Sequence, residues 1–62
     1  MNQTIEVTGT ANEKQLLRMR VVGTVERLDA NTVNVKVEDS VLDDFTDWLD
    51  EQEEPYLTWR LI

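Results

Sequence analysis

The sequence predicts an α+β domain: a small antiparallel sheet of three to four strands, in the order β-β-β-α-β, with one amphipathic helix packed on one face. Three observations carry this expectation. Two segments, Leu16 to Leu28 and Thr32 to Glu38, alternate apolar and polar residues on either side of Asp29-Ala30-Asn31. The segment after Ser40 instead repeats its apolar residues at helical spacing. Tyr56 to Ile62 then alternates again.

Taken in order, Ile5 and Val7 point one way while Thr4, Glu6 and Thr8 point the other, a first strand closed by Gly9. Ala11 to Gln15 reads as a polar connector, with a helical turn through Asn12-Glu13-Lys14 as the alternative. Leu17 to Val37 reads as one long hairpin, with Val25 facing Val35, Arg27 facing Val33 and Gly23 facing Val37. Asn31 is expected in the left-handed region, which Asn tolerates better than most residues. Leu17, Met19, Val21, Val25, Val33, Val35 and Val37 share the inner face. A slip of one residue would bury Asn34 and Lys36, so the register should be firm. Gly23 falls on that face, where a missing side chain suggests a bulge, close approach of the helix or, most simply, a bend in the long strand.

Ser40 is placed to cap the helix, with Asp43 approximating a capping box. At about 100° per residue, Val41, Leu42, Phe45, Trp48 and Leu49 form one arc, and Asp43, Asp44, Asp47, Asp50 and Glu51 form the opposite one. Pro55 should end the helix near Gln52 or Glu53. In the last strand Trp59 is expected to pack beneath the helix beside Trp48.

The run Val21 to Val37 resembles the strand-turn-strand of OB-fold and SH3-like barrels. The resemblance covers under a third of the chain and uses residue types common to any hairpin. It implies a third reading, a weak binder of single-stranded nucleic acid, although the hairpin lacks the aromatics that such barrels stack on bases.

Sixty-two residues make one domain near the lower size limit for a core that holds itself together. Without cysteine there is neither disulfide nor thiolate metal site. No apolar run approaches the roughly 20 residues of a membrane span, and the first residues lack a signal-peptide core, so the expected location is cytoplasmic. The net charge of −7 is unevenly distributed. Residues 38–54 hold nine of the thirteen acids and no base, whereas the remainder sums to +2.

Catalysis has little to draw on. The chain has no His or Cys, and its single Ser is explained as a cap, so the expected protein is not an enzyme and needs no cofactor. Carboxylates on a convex, solvated helix lack the contrasting environments that acid–base pairs require. Asp43, Asp44 and Asp47 lack the loop spacing of an EF-hand, so no metal is expected.

The remaining chemistry is surface recognition. Asp43, Asp44, Asp47, Asp50, Glu51 and Glu54 form a stripe with charges about 5–6 Å apart, suited to a basic groove on a nucleic-acid-handling protein. The leading expectation is therefore a small regulator of viral or mobile-element type that mimics nucleic acid. The alternative is a structural domain forming a homodimer through the outer sheet face, using Arg20, Val22, Lys36, Arg60 and Ile62 beside Arg18, Thr24 and Thr58. Acidity would then serve only solubility or a high-salt cytoplasm. Direct nucleic-acid binding is disfavoured by the acids close to those bases.

Overall fold

The structure is a computed structural model that describes residues 1–53 and 56–62. The described residues form β1 (Asn2–Thr8), α1 (Glu13–Val22), β2 (Thr24–Arg27), β3 (Thr32–Glu38), α2 (Asp39–Asp50) and β4 (Thr58–Leu61). The class is α+β with a four-stranded antiparallel sheet, as its alternation predicts. The second element differs: the first half of the expected long strand is a helix.

The reason is local. Asn12 accepts a hydrogen bond from the Gln15 backbone N–H at 2.8 Å, while the Asn12 N–H donates to Gln15 Oε1 at 3.0 Å. This reciprocal cap satisfies two donors that a helix start leaves open. Glu, Lys, Gln, Leu, Arg and Met then follow, all good helix formers. Helical spacing turns Gln15 and Met19 inward, which leaves Leu17 and Val21 exposed. Period two had placed Leu17, Met19 and Val21 together.

Gly23 ends α1 and starts β2. Its backbone is extended, but a Cβ there would collide with the Lys36 carbonyl oxygen. It is the point where a helix becomes an edge strand against β3, rather than a bend within one strand. Beyond it the hairpin has the expected register, with Val25 opposite Val35 and Arg27 opposite Val33. Its turn is stabilised differently. Asp29 Oδ1 accepts the Asn31 N–H at 2.7 Å, and among the described residues no non-glycine has positive φ, so Asn31 is not left-handed. Positive φ belongs to Gly9, at +138°, where β1 ends and its N–H donates to Asn31 O at 2.7 Å.

The sheet order is β2-β3-β1-β4. Each βαβ half admits a strand of the other half, which is the split βαβ arrangement. Ile5 and Val7 from β1 meet Val33, Val35 and Val37 from β3 on one face, and Met19, Phe45, Leu49 and Leu57 close over them. Both helices thus cover the same side. Antiparallel pairing sets Arg60, Glu6, Asn34 and Glu26 in a row across the opposite side. There Arg60 Nε donates to Glu6 Oε1 at 2.9 Å.

This outer face is not the basic, partly apolar one expected. Arg18, Arg20 and Val22 lie on α1, within Glu13–Val22. Lys36 and Arg60 remain on the sheet, interspersed with Glu6 and Glu26, and Ile62 follows β4 with 67% of its surface exposed. The sheet therefore lacks the apolar centre that Val22 would have supplied.

Candidate functional site

The site is built from two unlike helices lying side by side. In α2, Phe45 and Leu49 are buried, and Val41, Leu42 and Trp48 are half-buried against the core. The Phe45 and Trp48 rings stack with centroids 5.8 Å apart and planes 16° from parallel. That stack holds the apolar arc on the sheet and directs the acidic arc outward. The helix starts at Asp39, one residue before the expected cap: Glu38 is the N-cap residue and makes no side-chain capping bond, so Ser40 lies inside the first turn. The helix ends at Asp50, earlier than Pro55 alone would dictate. Glu51 caps it through backbone N–H bonds to Asp47 and Trp48 carbonyls, both at 3.2 Å.

Asp43, Asp44, Asp47, Asp50 and Glu51 are all exposed. Their environments differ. Asp50 Oδ1 accepts the Trp59 indole N–H at 2.9 Å, so this carboxylate is drawn toward β4. Trp59 is half-buried on the core as expected, and its polar partner on α2 is this carboxylate. Asp43, Asp44, Asp47 and Glu51 form no ion pair among the described residues, where the pairs are Met1 with Asp39 and Arg60 with Glu6. Glu54, the last member of the expected stripe, lies outside the described residues.

The second helix contributes what periodicity missed. Its inner side holds Met19 and Gln15, the latter only 4% exposed. Gln15 Nε2 donates to Gln52 Oε1 at 2.9 Å, and Gln52 Nε2 donates to the Trp48 carbonyl at 2.9 Å. This amide chain ties the start of α1 to the end of α2. Towards the other end, the helices separate around a groove of about 270 Å³. Val21, Val22, Val41, Phe45 and Trp48 line it, with Arg18 on the α1 side and Asp44 on the α2 side. The sequence signal for this groove was the Asn12 and Gln15 spacing, a capping box whose third helical residue is Gln rather than Glu.

The ionisable members of this surface are carboxylates and guanidinium groups, and its floor is aliphatic and aromatic. No group of three or more His, Cys, Asp or Glu residues among the described ones is arranged to hold a metal ion. No helix among them is long and apolar enough to cross a membrane. The acidic, groove-bearing face of a small split βαβ domain marks the class as far as geometry defines one. Comparison with known proteins adds nothing further: no family model, curated protein or solved structure matches the chain.

Proposed function

We propose that this chain is a non-enzymatic interaction module that presents α2 to a basic protein surface, of the kind that nucleic-acid-handling proteins carry. One observation supports this above the others. Asp43, Asp44 and Asp47 project from one helix and Glu51 from its C-cap, all exposed and none of them in an ion pair among the described residues. The packing of Phe45, Trp48 and Leu49 fixes their spacing before any partner arrives, which reduces the ordering cost of binding. Such a stripe also accelerates encounter with a positively charged surface.

The outer sheet face offers less for either other reading. Its residues are Thr, Asn, Glu, Lys and Arg in alternation with the core, with no aromatic ring for a base to stack on. It also lacks the apolar centre of a dimer interface.

The test is affinity capture at low ionic strength with the wild-type chain and with the double variant Asp47→Lys, Glu51→Lys. A directly bound basic protein should dissociate steeply as salt rises, and the double variant should weaken it by at least about tenfold. A partner that binds both chains equally, independent of salt, would refute the reading.

A further inference from the structure

We propose that the helical face also self-associates: a second copy of this chain seats its α1 against α2 of the first, about a two-fold axis running along the groove between the helices. The argument starts from α1. A helix with apolar residues on one stripe is satisfied by one layer of contacts, whereas one with apolar residues all round needs a second. Met19 is fully buried beneath α1, yet Leu17 and Val21 on its upper side are 61% and 74% exposed. No described residue of the same chain buries either of them.

Charge selects the occupant. The charged residues of α1 are Glu13, Lys14, Arg18 and Arg20, a net charge of +2, whereas α2 carries five aspartates and no base. The two helices lie on the same side of one sheet, so a single face is basic and aliphatic on one half and acidic on the other. Such a face is complementary to itself. A two-fold axis along the groove puts α1 over the partner's α2 and repeats the contact in reverse, whereas an axis across the helices would set like charges together. The groove receives Val21 from each side, and Arg18 comes opposite the partner's Asp44 rather than remaining unpaired.

Size bounds the strength. A body with Cα extents of 29 × 23 × 19 Å has no face much larger than the roughly 800 Å² per side of a standard stable interface. The dimer therefore needs most of the helical face and dissociates at about micromolar concentration or above. Because it occupies the acids of α2, it competes with any basic partner. It does not depend on such a partner existing.

Sedimentation of the whole chain from about ten micromolar to about one millimolar tests this, in buffers from about 50 to about 500 mM salt. Self-association should appear at the high end and weaken about tenfold or more as salt rises. Arg18→Glu and Asp44→Arg, both exposed substitutions, should each abolish it. Mixed together, they should restore a 1:1 heterodimer, since both helix contacts then pair opposite charges. A monomer at every concentration would overturn the proposal while leaving the basic-partner reading intact. A dimer that survives both substitutions, or a mixture that fails to reassociate, would overturn it as well.

Discussion

The two helices pack on the same sheet, yet they solve that task in opposite ways. In α2 the apolar and acidic residues separate into two arcs, so one layer of contacts satisfies the helix and the rest meets water. In α1 the apolar residues Leu16, Leu17, Met19, Val21 and Val22 run round the cylinder, and only Met19 among them is fully buried, beside a buried amide, with Leu16 and Val22 half-buried against the core. Helix α2 is held by its stripe, whereas α1 is held by its ends: a capping box at Asn12, an amide link to Gln52 and the close approach at Gly23. A helix whose placement depends on a few specific bonds leaves side chains free on its outward surface.

The largest expected effect distinguishes these two designs within α1 itself. Met19 is fully buried, so Met19→Ala should destabilise the domain by about 2–5 kcal/mol in denaturant melts. Leu17→Ala should change stability by less than about 0.5 kcal/mol, since the side chain is 61% exposed. In a strand with Leu17, Met19 and Val21 on one inner face, the two substitutions would cost similar amounts. Equal losses would therefore refute the helix.

The next effect concerns the ends. Gln15→Leu keeps the volume of the side chain but removes the acceptor for the Asn12 N–H and the donor to Gln52. It should cost about 1–3 kcal/mol, because buried groups lose their partners. Asn12→Ala, which removes only the exposed half of the cap, should cost about 1 kcal/mol. If both prove silent while Met19→Ala does not, α1 is held by packing alone and the contrast between the helices disappears.

This same contrast explains what was legible in the chain. The arc Val41, Phe45, Trp48 and Leu49 has a single geometric solution, so α2 and its outward acids could be read directly. So could the pairing of Val25 with Val35, because slippage would bury Lys36. Residues 15 to 22 admit two solutions: Leu17, Met19 and Val21 suit a strand, while Gln15, Met19 and Val22 suit a helix. Only the Asn12 cap decides between them, and Gln is a quieter capping partner than Glu. With α1 misplaced, Arg18, Arg20 and Val22 went to the wrong layer, and the groove between the helices could not be seen. The bond from Trp59 to Asp50 was illegible for another reason. It depends on where β4 runs beside α2, which no local pattern encodes.

The smallest effect sharpens the comparison from the side of α2. Its last turn contains no base, and Asp50 and Glu51 sit where the helix dipole disfavours anions. Trp59 gives Asp50 a hydrogen bond in return, whereas the Glu51 carboxylate has no hydrogen-bond or ion-pair partner among the described residues. Glu51→Lys should therefore raise stability by about 0.3–1 kcal/mol at low salt, with the gain shrinking as salt screens the dipole. Asp50→Lys should gain less or lose, since the indole N–H is left without its acceptor. Thermal melts of the two variants side by side measure the difference directly. A more stable Glu51→Lys that also binds a basic partner less tightly would show an acid maintained at the expense of the fold. Equal binding would make Glu51 a bystander and confine the recognition stripe to Asp43, Asp44 and Asp47.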